Sequence, residues 1–125
     1  MKNTADHKQP KPEVVLSKAF CNMAKFCSFT GKDIKQMTGI SESSFTRLNH
    51  GERFISPTSK EGEIALLLLR IYRSLNAIVG NNHEKAKRWL NSQNQYFQKK
   101  PIEEMMTIPG LVSVVNYLDA MRGKL

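Results

Sequence analysis

Residues 29–51 read FTGKDIKQMTGISESSFTRLNHG, and this stretch decides the fold. Thr30 followed by Asp33 has the spacing of a capping box, with Asp in place of the usual Glu, and opens a short helix to Met37. Gly39 supplies a turn that a residue with a Cβ would make under strain. Ser41 is a good N-cap for the next helix, which runs to about His50 and is stopped by Gly51. Within it Phe45 and Leu48 share one face, while Ser43, Thr46, Arg47 and His50 look elsewhere.

Outward from this stretch the chain reads as helices throughout. Upstream, Leu16, Ala19, Phe20, Met23, Ala24 and Cys27 follow the three-and-four spacing of an amphipathic helix from Glu13 to Cys27. Residues 1–12 are polar, carry Pro10 and Pro12, and read as a mobile tail. Downstream, Thr58-Ser59-Lys60-Glu61 has the form of a capping box with Thr58 as the cap, and it starts the longest helix. From Ile64 to Val79 that helix is apolar on most of its circumference. Such a surface exceeds what one small core is expected to cover, so a homodimer through this helix is expected, with Leu66, Leu69 and Tyr72 at its interface. Asn81 with Glu84 is expected to cap a further helix through Leu90, and Pro101 suits a first helical position for Ile102 to Met106. Thr107-Ile108-Pro109 opens the last helix, Leu111 to Met121. No run of alternating β-branched residues marks a strand.

Composition sets the broad class. The net charge of +8 and an excess of Lys and Arg point to a polyanionic partner such as nucleic acid. The excess is spread evenly, since residues 1–59 hold nine Lys/Arg against five Asp/Glu and residues 60–125 hold ten against six. The apolar run Ile64–Leu69 is far short of the ~20 residues of a membrane span, and the start lacks the apolar stretch of an export signal. Cys21 and Cys27, spaced C-x5-C, read as reduced thiols of a cytoplasmic protein.

Enzymatic readings find no support. His83-Glu84 is not followed by a second His at the spacing of a zinc helix. Glu103 and Glu104 are neighbours whose side chains diverge by about 100° on a helix, unfit for an acid–base pair. There is no Gly-rich phosphate loop, so no catalytic residue, metal or cofactor is expected.

Two short helices joined by a Gly turn, the second capped and polar, resemble the Xre-type helix-turn-helix of phage-repressor-like regulators. In that motif the second helix enters the major groove and its first residues meet base edges. On this reading Ser41, Ser43 and Thr46 approach bases, and Arg47 makes a bidentate contact to guanine or clamps a phosphate. Lys32 and Lys35 would make the phosphate contacts that set register. The pattern usually has a small residue four before the turn glycine and a Leu just before it, where this chain has Lys35 and Thr38.

Residues 83–125, HEKAKRWLNSQNQYFQKKPIEEMMTIPGLVSVVNYLDAMRGKL, resemble the toxin-binding domain of the Xre/MbcA/ParS antitoxins. Ala86, the Trp89-Leu90 pair, Asn94, Pro101, Thr107, Gly110, Val115, Leu118 and Arg122-Gly123 carry the resemblance. The loop Tyr96-Phe97-Gln98-Lys99-Lys100 stands where the family often has a Leu-Gly-rich turn. The resemblance implies an antitoxin that neutralises a RES-type, NAD-consuming toxin and represses its own promoter by binding operator DNA. The expected toxin-binding residues are Asn116, Asp119, Arg122, Gly123, Lys124 and Leu125, polar or terminal positions at the carboxyl end. Trp89 reads more readily as a core residue under the last helix than as a docking anchor.

The expected architecture is all-α: a tail (1–12), a helix-turn-helix module (13–57), a long dimerisation helix (58–80) and a small helical toxin-binding domain (81–125). An orphan regulator that has lost its toxin, or an interaction-only module without DNA binding, remain alternatives.

Overall fold

The computed structural model describes residues 9–124; most of the expected tail, together with Leu125, lies outside the described residues. Seven helices follow one another: α1 (Pro12–Cys27), α2 (Gly31–Thr38), α3 (Glu42–Asn49), α4 (Lys60–Val79), α5 (His83–Leu90), α6 (Pro101–Glu104) and α7 (Ile108–Arg122). Among the described residues the only strand-like pairing is a single bridge, Asn94 to Lys99. The all-α expectation holds.

Local chemistry explains most of the helix ends. Thr30 accepts a hydrogen bond from the Asp33 amide at 3.0 Å, and Asp33 returns one from the Thr30 amide at 2.9 Å, a complete capping box. Thr107 caps α7 through the Gly110 amide at 3.1 Å. Two expected caps move by one residue. At α4 the cap is Ser59, which accepts from the Gly62 amide at 3.0 Å, and not Thr58. Glu61 is drawn away to Arg53, whose Nη2 donates to both its carboxylate oxygens at 2.8 and 3.1 Å. At α5 the cap is Asn82, accepting from the Lys85 amide at 3.0 Å, because Asn81 is used in the left-handed turn that ends α4.

The long helix α4 is the centre of the molecule. It packs chiefly against α7 and α1, with further contacts to α5 and α2. Ala65, Leu68, Leu69, Ile71 and Leu75 are buried, and Tyr72 is half-buried with its ring 5.2 Å from Phe26. Ile64, Leu67, Ile78 and Val79 are half-buried and Leu66 is exposed, so part of the apolar surface of α4 stays open to solvent. The covered side is closed by α1, which reaches α3, α4 and α5 at once. A single contiguous core results, running from Phe20 and Ile34 to Leu111 and Leu118. Of the residues expected at a dimer interface, Leu66 is exposed (42%), Leu69 is buried and Tyr72 is half-buried.

The buried hydroxyls are tied in, whereas Arg53 Nη1 and Asn76 Oδ1 are buried without a partner among the described residues. Ser17 on α1 accepts from the Ile55 amide at 2.7 Å, holding the segment before α4 against α1. The α6–α7 corner is equally constrained: a Cβ on Gly110 would lie 1.7 Å from the Glu104 carbonyl oxygen, so only glycine lets the two helices close.

Two candidate binding surfaces

The first surface is the outer face of α3. Phe45 meets Phe20 of α1 edge-on with ring centroids 6.2 Å apart, and Leu48 enters the core. These two anchors turn Ser43, Thr46, Arg47 and His50 to solvent. Ser41 caps the helix through the Ser44 amide at 3.1 Å, and its hydroxyl lies 3.3 Å from that of Ser43. Thr46 turns its hydroxyl back to the Glu42 carbonyl at 3.1 Å. Lys32 and Lys35 are exposed on α2. All six residues expected to meet DNA are thus exposed on α2, α3 or the cap between them.

The turn between α2 and α3 also explains its unusual residue. Thr38, standing where Leu is usual, is buried with its hydroxyl donating to the Ile34 carbonyl at 2.7 Å and accepting from the Ile40 amide at 3.0 Å. The buried oxygen is satisfied by the turn itself, so it carries no penalty of an unpaired polar group. Gly39 adopts φ +81° and its amide donates to the Lys35 carbonyl at 2.8 Å. Glu42, which the sequence reading passed over, is an exposed acid in the first turn of α3, where the helix dipole favours it.

The second surface is the carboxyl-terminal corner. Asn94 shapes the loop before α6: its side-chain oxygen accepts from the amides of Tyr96 and Phe97 at 2.8 and 3.2 Å. The result is an aromatic cluster around Tyr117 of α7. Its ring lies 4.9 Å from Tyr96, 5.2 Å from Phe97 and 6.2 Å from Trp89, which it faces nearly parallel. Trp89 is half-buried in this cluster, in line with the packing role read from its helical neighbours. Tyr96, Asn116, Tyr117, Ala120, Met121 and Lys124 line a cleft of about 350 Å³ beside it.

Of the residues expected to bind a toxin, Asn116, Arg122, Gly123 and Lys124 are exposed. Asp119 is already engaged within the fold. Arg70 of α4 donates to it at 2.6 Å, and the buried Ser74 hydroxyl donates at 2.9 Å. That clasp, and the Tyr96–Tyr117 contact, join residues far apart in sequence. Neither leaves a local signature, although the aromatic pair Tyr96-Phe97 in a short loop was a visible irregularity.

Residues 74–124 match the antitoxin Xre/MbcA/ParS C-terminal toxin-binding domain. The match covers about two fifths of the chain, from the last turns of α4 through α7. The matched segment begins at Ser74, inside the clasp to Asp119, and takes in α5, α6, α7 and the aromatic cluster. No curated protein matches the chain in sequence. Among the described residues no helix is long and apolar enough to cross a membrane, and no three His, Cys, Asp or Glu side chains gather as metal ligands. The thiols of this chain are poor nucleophiles. Burial pushes Cys27 up to about 12 and raises Cys21 above the ordinary thiol range.

Proposed function

We propose that this protein is the antitoxin of a type II toxin–antitoxin pair, a cytoplasmic regulator without catalysis of its own. It binds and neutralises a RES-type toxin that consumes NAD, and it represses its own promoter through α2 and α3. The toxin-binding domain over residues 74–124 is the observation that carries the reading. The exposed row Ser43, Thr46 and Arg47 supports the DNA-binding part, flanked by Lys32 and Lys35 for the backbone. A homodimer fits the groove between α1 and α4, where Leu66 and Leu69 meet Val15 and Pro57. Tyr72 would then support the interface from behind.

Two measurements test this. Co-expression with the product of the adjacent reading frame, expected to be a RES-type toxin, restores cellular NAD and growth; continued NAD loss removes the antitoxin reading. Binding to the upstream DNA of the gene is salt-dependent. Arg47→Ala costs about 1–3 kcal/mol there and relaxes specificity, while Lys35→Ala weakens all sequences alike and lowers the salt slope by about one. Absence of salt-dependent binding leaves an interaction-only protein.

A further inference from the structure

The outward side of α7 is unusual for so charged a chain. From Thr107 to Met121 the only charged residue is Asp119, and it is held by Arg70 and Ser74 of α4. The rest of the solvent side presents Ile108 (55% exposed), Val112 (41%) and Met121 (40%), with Asn116 and Ala120 between. Tyr96 extends this face at its carboxyl end, 68% exposed although the Asn94 turn and the Tyr117 ring hold it in place. Depletion of charge together with aromatic and Met enrichment is the composition of an interface centre. Helical rise makes the face about 20 Å long, enough for the core of a protein contact.

The surrounding charges indicate what covers it. Two of the four acids of the matched domain pair with cations of the chain, Glu104 with Lys99 at 3.6 Å and Asp119 with Arg70 at 2.6 Å, and Glu103 accepts from the Lys100 amide at 3.0 Å. Among the described residues Lys100, Arg122 and Lys124 form no ion pair. The domain therefore offers an apolar centre with unpaired positive charge at its margin. A second copy, bearing the same positive margin, would be repelled; an acidic partner would be drawn in.

We infer that the outward face of α7, from Ile108 to Met121 with Tyr96 as its anchor, is the docking surface for the toxin, whose matching surface is apolar at its centre and acidic at its rim. This rests on the antitoxin reading and adds to it. Affinity comes from the helix face, while the terminal residues beyond Met121 act at the rim. Tyr96, a preordered aromatic beside the Asn116–Met121 cleft, is the kind of residue that dominates such contacts.

The test uses the full-length protein and the RES-type toxin encoded beside its gene, with affinity measured by calorimetry and folding checked by thermal melting. Val112→Glu and Tyr96→Ala each weaken binding about 30-fold or more, with the melting temperature nearly unchanged. Lys124→Glu slows association and flattens its dependence on salt. Removing residues 122–125 leaves most of the affinity. Wild-type binding that both Val112→Glu and Tyr96→Ala leave intact overturns the docking face while the antitoxin reading stands. Retained toxin affinity with an altered oligomeric state in Val112→Glu overturns it too, assigning the face to a second copy. No binding by the wild-type protein overturns both.

Discussion

Replacing Asp119 with alanine removes both ties that clasp α7 to α4. The carboxylate receives the Arg70 guanidinium at 2.6 Å and the Ser74 hydroxyl at 2.9 Å. The ion pair is partly exposed, with side-chain exposures of 54% and 40%, so solvent screening holds its worth below about 1 kcal/mol. Ser74 is different, because it is buried, and leaving its hydroxyl unpaired costs about 1–3 kcal/mol. Asp119→Ala therefore destabilises the fold by about 2–3 kcal/mol, a fall of roughly 10 °C in melting temperature for a chain of this size. Asp119→Asn keeps an acceptor for Ser74 and costs less than about 1 kcal/mol. Adding Ser74→Ala to Asp119→Ala adds little, since the stranded hydroxyl is gone, and the double-mutant cycle shows a coupling of about 1 kcal/mol. Urea unfolding of wild type, Asp119→Ala, Asp119→Asn, Ser74→Ala and the double variant measures these values, with toxin affinity followed in parallel. Unchanged unfolding of Asp119→Ala together with weakened toxin binding would refute the reasoning, placing this carboxylate in the interface and outside the framework of the fold.

Three further outcomes follow from the geometry. Cys27 resists alkylation at pH 8 until the protein unfolds, whereas Cys21 reacts slowly; rapid labelling of Cys27 in the native protein would contradict its burial. The folded-state pKa of Cys27 is raised, so its contribution to stability is complete below pH 9 and is lost as pH rises from 9 towards about 12. That decline, up to about 1.4 kcal/mol per pH unit, is smaller in Cys27→Ala when unfolding is measured across this range. Gly110→Ala forces a carbon against the Glu104 carbonyl and destabilises the α6–α7 corner by about 3 kcal/mol or more; a melting temperature within a degree or two of wild type would show that the corner yields.

What the sequence made legible was local. The Thr30–Asp33 box, the Gly39 turn and the Thr107 cap each involve residues within a few positions, where side-chain chemistry and chain geometry act on their own. The two displaced caps show the limit of such reading. Thr58 loses its place because Arg53, eight residues before Glu61, claims the acid that would complete its box. Asn81 loses its place because Gly80 and Asn81 both take left-handed backbone to end α4. The outer face of α3 could be read from its polar residues, since two anchors, Phe45 and Leu48, set its rotation. The carboxyl-terminal corner could not be read completely. Asp119 looked free because Arg70 lies 49 positions away, and Tyr96 looked unanchored because its partner Tyr117 is far along the chain, on α7.

The single core that α1 closes has a consequence for how such a protein can change over generations. Phe26 of α1 lies against Tyr72 of α4 and near His83 at the start of α5, so the two ends of the chain share side chains. A recombination joint between them would not exchange one specificity for another. It would strand Ala86 and Leu90, both wholly enclosed in the present fold, against a foreign first helix. Change that spares this interior therefore arrives as substitutions on the surface, such as the outside of α7 and the loop before α6. Changes on the outside of α3 arrive separately. The two can drift at different rates only because each sits on the skin of one indivisible interior.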